Sequence, residues 1–291
     1  MLKIPNPFPS ESGVVILNEA QDCNRLKITQ QLLSDTYTKP YIIEADGVRS
    51  LYFTRAHTQS ALRLSAPEAL EFSYTRMMMC ALLFQPNPQQ ICLLGMGGGS
   101  LAKFCYCKLP ASHISVVEID AYIIAFRDQF LLPQDDARFK IVHADAGEYV
   151  AANRNNADII MLDAFDGSGS AAAEHHVNFY RDLRKNLSAN FSSTGVAVCN
   201  MIGSKANRFG HLQAIYTAFS GNIITLPVEH DGNYLVFAFS NPHFEPRWRW
   251  MQTQSRAMQK RYGLNFPAYV TALMRARKEG FLEKTMHQSE D

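Results

Sequence analysis

From residue 38 to residue 65 apolar and polar positions alternate with the period of two that marks a strand with one buried face, in YIIEA and again in VRSLYFT. Asp46-Gly47 stands between the two runs, a dipeptide suited to a tight turn with positive φ, so a β-hairpin is predicted there. A third extended run, SALRLS, follows. Pro67 then opens a predicted helix that ends near Phe84, where Pro86-Asn87-Pro88 stops it. No element is predicted before residue 38. Residues 1–65 are expected to form a small β-rich N-terminal domain.

After Pro88 the pattern changes. ICLLG, ISVVEID, FKIVHAD, ADIIMLD, GVAVCNMI and YLVFAFS are short runs of mostly apolar residues, the mark of strands covered on both faces, and helical stretches separate them. Such a series builds right-handed βαβ units, so residues 66–245 are expected to form an α/β domain with a Rossmann-like, doubly wound, mainly parallel sheet. The last run is expected to pair with ITLPVEHDGNY through a turn-rich connection, which suits a late antiparallel strand. Residues 246–291, with Trp248, Trp250, Phe266 and a basic stretch before a polar end, are expected to pack as helices and then fray.

Composition narrows the function. The 291 residues are 47% apolar, enough for a sizeable core, and 28 Lys and Arg stand against 27 Asp and Glu. So even a balance gives no footprint for nucleic acid or an anionic membrane, and small-molecule chemistry is favoured. The N-terminus lacks an apolar leader, and no run approaches the ~18 apolar residues of a membrane span, so a cytoplasmic location is expected. The cysteines at 23, 80, 92, 105, 107 and 199 form no CxxC pair and no metal-ligand cluster, and read as reduced thiols with no metal bound. Cys105 and Cys107, two apart in a helix, point to different faces, and adjacent His175 and His176 diverge by roughly 100° on a helix.

The candidate chemistry begins where the first parallel strand meets Gly95-Met96-Gly97-Gly98-Gly99-Ser100. Glycines permit the tight turn and bring backbone close to a nucleoside at a helix N-terminus. Glu118 ends the next strand, 23 residues after Gly95, where a carboxylate accepts both hydroxyls of an adenosine ribose. The two features suit either a nicotinamide or a sulfonium nucleoside, and the glycine spacing leans to the second. The third and fourth strands end at Asp145 in HADAGEYV and Asp163 in MLDAFDGSG, at the edge where doubly wound sheets bind ligands. Asp145 reads equally well as a helix cap.

The succession LLGMGGGS, VVEID, HADAGEYV and DIIMLDAFD resembles the motifs of spermidine synthases and their spermidine-synthase-like relatives, over residues 40 to 240. The hairpin at Asp46-Gly47, Gln59-Ser60, Tyr74 and the Pro-Asn-Pro segment fit the same family. The resemblance implies the fold of S-adenosylmethionine-dependent transferases and an aminopropyl transfer from decarboxylated S-adenosylmethionine to an amine such as putrescine. It also implies a small-molecule acceptor, no nucleic-acid or membrane partner, and a homodimer as a candidate assembly. By the same resemblance Gly95 and Gly97 pass under the nucleoside, Glu118 holds the ribose, and Asp145 with Ala146 receives the adenine amino group. Asp163 takes the proton of the attacking amine, Asp166 helps bind the cationic acceptor, and Gln59 and Tyr74 close the pocket.

Two departures bear on the substrates. The family's glycine turn carries an Asp where this chain has Gly98, and its Tyr-His-Glu run appears here as Tyr74-Thr75-Arg76. The first removes the group that grips the donor's amino end, and the second reverses a charge. Transfer from S-adenosylmethionine itself, as a methyltransferase or other alkyltransferase, is therefore the second reading, and a non-catalytic nucleoside-binding homologue is the third. A dehydrogenase is disfavoured, because hydride transfer has no use for Asp145 and Asp163.

Overall fold

The computed structural model describes residues 1–8, 12–154, 156–164, 177–190, 193–202, 205–228 and 232–278. A five-stranded antiparallel sheet comes first, in the order β1 (Leu2–Pro5), β2 (Val14–Leu17), β3 (Tyr41–Ala45), β4 (Val48–Tyr52), β5 (Thr58–Arg63). Asp46 (φ 50°) and Gly47 (φ 75°) make the expected two-residue turn between β3 and β4, both in the left-handed region. Alternation along β2 and β3 sends side chains to opposite faces. Val15, Leu17, Tyr41 and Ile43 form a small core with Ile28 and Leu32 of helix α1 (Arg25–Leu33), whereas Ile16, Ile42, Leu51 and Leu62 join the main core of the molecule. The sheet is thus tied to the following domain by shared apolar packing.

The helix expected from Pro67 begins later and is broken. Residues 63–69 form turns, with the amides of Ala66 and Ala69 donating to the carbonyls of Arg63 and Ala66, and the helices are α2 (Ser73–Met78) and α3 (Ala81–Phe84). The Arg76 guanidinium takes the carbonyls of Leu70 and Glu71 in the intervening segment at 2.7 and 2.6 Å, while the Glu71 carboxylate holds Arg63. The chain is extended at Phe72 (φ −87°, ψ 144°), the N-cap of α2, so the turn at Pro67 does not run into the helix.

The second sheet has seven strands in the order β13-β14-β12-β9-β6-β7-β8. These are β6 (Gln90–Leu94), β7 (His113–Glu118), β8 (Phe139–His143), β9 (Ile159–Leu162), β12 (Val196–Met201), β13 (Ile223–Pro227) and β14 (Tyr234–Phe239). A two-residue hairpin, β10 (Ala189–Asn190) and β11 (Ser193–Thr194), precedes β12. Pairs among β8, β7, β6, β9 and β12 are parallel, and β14 runs antiparallel between β12 and β13, as the sequence predicts. Helices α4 (Ser100–Lys108), α5 (Ala121–Ala125), α6 (Ala146–Ala152), α7 (Val177–Asn186) and α8 (Lys205–Ala218) connect the parallel strands. The apolar runs are continuous because both faces are covered: Leu93, Val116, Met161 and Val198 enter one core, and Cys92, Val117, Ile160 and Ala197 the other. β8 is the exception, with Lys140 and His143 exposed at the sheet edge.

From β6 the chain winds outward through β7 to β8, then returns to β9 on the other side of β6. The carboxyl ends of β6 and β9 therefore bound the crevice at the switch point, where such folds bind ligands. Helices α9 (Trp248–Tyr262) and α10 (Phe266–Lys278) turn on Gly263 and place Met251, Met258, Phe266, Val270 and Leu273 in the main core. Cys105 is buried and Cys107 exposed, on different faces of α4. Among the described residues no helix is long and apolar enough to cross a membrane. His175, His176, Asp166 and the end of the chain expected to fray lie outside the described residues.

Candidate active site

Leu94 of β6 leads into a turn in which Gly95, Gly97 and Gly99 have φ of 97°, 49° and 66°. At Gly95 glycine is doubly required, since a Cβ would collide with the carbonyl oxygen of Asp163 at the end of β9. The turn is fixed from both sides, by Gly95 N–H to the Val117 carbonyl (2.8 Å) and Asp163 N–H to the Leu94 carbonyl (2.9 Å). Glu118 secures it further: one carboxylate oxygen accepts the Met96 amide and the other the Asp120 amide, each at 2.9 Å. Each oxygen keeps further acceptor capacity.

Gly98 is small for a different reason. A Cβ there would meet Ser60 Oγ at 2.5 Å and the Phe130 ring at 3.0 Å. Ser60 is buried on β5, and Ser100 Oγ donates to the Ala61 carbonyl at 3.5 Å, so the edge of the N-terminal sheet rests on the glycine turn. Gln59, half-buried, is next to Ser60 on the same strand. Phe130 is held by its backbone. Lys103 donates to the Phe130 carbonyl at 2.6 Å, and Arg49 of β4 donates to the carbonyl of Gln129.

Asp145 is the N-cap of α6, accepting the Glu148 amide at 3.0 Å, and Ala146 is the first residue of that helix. The cap reading of Asp145 therefore holds. It follows the end of β8, two strands from β6, so it borders the crevice from the far side of Glu118.

Asp163 directly follows β9 and is half-buried. Tyr74 in the first turn of α2 donates its hydroxyl to one carboxylate oxygen at 3.2 Å, and the Asn200 side-chain amide donates to the other at 2.9 Å. Tyr74 is itself stacked on Phe72, ring centres 5.8 Å apart and planes at 20°. Burial pushes the Asp163 carboxyl above the usual carboxylate range, and the bonds from Asn200 and Tyr74 oppose that rise. Asn200 accepts in turn from the Asn233 side-chain amide at 2.8 Å. Neither asparagine figures among the sequence candidates. The available signal was a polar residue at the carboxyl end of the otherwise apolar strand VAVCNM.

The structure thus brings Gly95, Gly97, Glu118, Asp163 and Tyr74 together at the carboxyl ends of β6, β7 and β9, while Asp145 follows β8 and Gln59 lies on β5. Arg76 is committed to the carbonyls of Leu70 and Glu71, and Thr75 is buried with its hydroxyl on the Phe72 carbonyl at 2.8 Å. Among the described residues no group of three His, Cys, Asp or Glu could hold a metal.

A doubly wound sheet with a glycine turn at its switch point and β14 antiparallel between β12 and β13 makes up a Rossmann-like α/β fold. The solved spermidine synthase of Thermotoga maritima has this fold, superposing with a TM-score of 0.64 over 86% of this chain and 84% of its own at 20% identity. A profile described as the spermine/spermidine synthase domain matches residues 71–199. The polyamine aminopropyltransferase of Neisseria meningitidis serogroup A is 33% identical over 234 residues, 80% of this chain and 88% of its own. That of Chromobacterium violaceum is 32% identical over 239 residues, 82% and 90% of the two chains. This chain belongs to the spermine/spermidine synthase family, and is an enzyme of the transferase class.

Proposed function

We propose that the protein is an aminopropyltransferase that moves the three-carbon amine of decarboxylated S-adenosylmethionine onto a small amine, of which putrescine is the simplest candidate. The observation that carries this reading is the Asp163 carboxylate, held by Tyr74 and Asn200 at the carboxyl end of β9, directly beside the glycine turn. The residues fit the nucleoside. Gly95 and Gly97 present backbone without side chains, Glu118 has acceptor capacity for ribose hydroxyls, and the α6 N-terminus at Asp145 and Ala146 offers polar groups to the adenine edge.

The sulfonium carbon is already activated, so the protein has to align the amine and take its proton. An alkyl ammonium has a pKa of about 10.4, leaving little free amine at neutral pH. Asp163 attracts the cation and takes a proton from it, which frees the nitrogen lone pair that then forms the carbon–nitrogen bond. The carbon–sulfur bond breaks with its electron pair going to sulfur, and methylthioadenosine leaves as a neutral thioether. Asp166 is proposed to hold the other end of the acceptor, with Gln59 and Tyr74 closing the pocket.

A second reading, transfer from S-adenosylmethionine itself, is favoured by one observation: at Gly98 no carboxylate meets the donor's amino end, and Ser60 and Phe130 fill the space a side chain would take. A carboxylate there would select the decarboxylated donor, whose end is an ammonium alone. At 4–8 Å and an effective dielectric of about 20 one charge pair is worth roughly 2–4 kcal/mol before screening. We expect the wild type to prefer the decarboxylated donor only weakly. Gly98→Asp alone meets Ser60 Oγ and the Phe130 ring, so Gly98→Asp with Ser60→Ala and Phe130→Leu is the variant expected to shift preference toward that donor by about ten-fold or more. Parallel titration of both donors by calorimetry tests this. A wild type that already excludes S-adenosylmethionine a hundred-fold would assign the selection to another residue and remove the second reading.

A further inference from the structure

We propose that Asn200 and Asn233 are positioning residues for the Asp163 carboxylate, with Asn233 fixing which end of the Asn200 amide faces it. An asparagine side chain presents a donor and an acceptor of nearly equal shape, and rotation by half a turn exchanges them. With its NH2 toward Asp163, Asn200 binds the carboxylate. With its oxygen there, it repels it. An ionised Asp163, which only accepts, favours the NH2, and a second contact is needed to keep it there when the carboxyl is protonated.

Asn233 supplies that contact. Its Nδ2 lies 2.8 Å from Asn200 Oδ1, so the Asn200 oxygen is held on that side and its Nδ2 stays toward Asp163 Oδ1 at 2.9 Å, resisting the half-turn that would let the oxygen accept from a protonated carboxyl. Both asparagines are buried, at 5% and 4% exposure, which strengthens the bonds and removes water as an alternative partner. Their backbones are locked as well. Asn200 pairs with Leu235 in the β12–β14 ladder, and the Asn233 carbonyl accepts the Val228 amide at 2.9 Å, closing the β13–β14 connection. The chain Asn233–Asn200–Asp163 thus crosses the ends of β14, β12 and β9, three neighbours in the sheet.

The consequence for the reaction rests on the reading of Asp163 as the base. A donor on each oxygen, Tyr74 from α2 and Asn200 from β12, fixes the plane of the carboxylate and so the direction from which it receives the proton. Tyr74 is the titratable group bonded to Asp163, the asparagines are neutral, and the β6 turn approaches through the backbone of Gly95. Burial raises the Asp163 pKa, and the Asn200 bond is the first of the two bonds that restrain it. Asn233 touches neither Asp163 nor, on this account, substrate. It acts through Asn200.

The test is a ¹³C NMR titration of the Asp163 carboxyl in the ligand-free protein, for the wild type, Asn200→Leu, Asn233→Leu and the double variant. Each single substitution should move the titration midpoint to higher pH, and the double should move it no further than Asn200→Leu, because Asn233 has nothing to orient once Asn200 is gone. Asn233→Ala is the smaller alternative where Leu impairs folding. It removes the donor without adding a charge and shifts the midpoint the same way. A midpoint unmoved by either Asn233 variant, or shifts that add in full, would overturn the proposal. Turnover is measured separately. The acid limb of kcat should follow the titration, with about a ten-fold loss at its acid end and little change in KM for the donor. A titration that shifts while turnover does not follow would leave the asparagines in place and remove Asp163 as the base.

Discussion

Asp163→Asn is expected to lower turnover by about 10²–10⁴ while nucleoside affinity changes little, because the amide keeps the shape of the side chain and loses the proton acceptor. The wild-type pH profile should carry the signature of the same group. The base works ionised, and burial raises its pKa, so activity should fall on acidification at a higher pH than an exposed aspartate would give, and the variant should lack that limb. Stability should move the other way. A carboxyl whose folded pKa exceeds its unfolded one favours folding when protonated, an advantage present in acid and lost as the pH rises through the folded value. At neutral pH the ionised carboxylate therefore costs stability that the neutral amide does not. The variant should melt no lower than the wild type at neutral pH and lose that margin in acid. Near-normal turnover at saturating substrate would remove Asp163 from the mechanism.

Glu118→Ala is expected to weaken methylthioadenosine binding by ten- to a hundred-fold for each ribose hydroxyl lost, since a charge-assisted hydrogen bond is worth roughly 1.5–3 kcal/mol. The same carboxylate accepts the amides of Met96 and Asp120, so part of the loss reflects a loosened glycine turn. Glu118→Gln separates the two. Its amide oxygen retains one of those acceptors, but only one, and its NH2 no longer accepts from a hydroxyl. Binding intermediate between wild type and Ala is therefore expected by calorimetry, and the turn should also be steadied by ligand, which at 100 times its dissociation constant adds about 2.7 kcal/mol. Unchanged affinity in Glu118→Ala would refute the ribose assignment, and tighter binding of a nicotinamide dinucleotide would refute the nucleoside class.

What the sequence shows and what it hides follow from the range of the interactions. The parallel strands are legible because burial on both faces leaves uninterrupted runs such as ICLLG, and the Asp46-Gly47 hairpin because a two-residue turn dictates its own residues. The glycine turn and Glu118 are legible by spacing along one βαβ unit. The helix start is misplaced because Pro67 suits a turn as well as a first helical position, and here it opens a turn that ends before an extended Phe72. β1, β2 and α1 are missed because four-residue strands and a weakly amphipathic helix give little periodicity to read. The reason for glycine at position 98 depends on Ser60 and Phe130, and the tie between Asp163, Asn200 and Asn233 joins three strands. No spacing along the chain encodes either.

The central claim is the identity of the transferred group, and product analysis by mass spectrometry tests it most directly. The purified protein is incubated with decarboxylated S-adenosylmethionine or with S-adenosylmethionine, each against a panel of linear amines. The account predicts methylthioadenosine from the decarboxylated donor in amounts equal to an acceptor enlarged by one aminopropyl group, and loss of both products in Asp163→Asn. A methylated acceptor with S-adenosylhomocysteine as the sole nucleoside product, or bound nucleoside with no turnover of either donor, would contradict it.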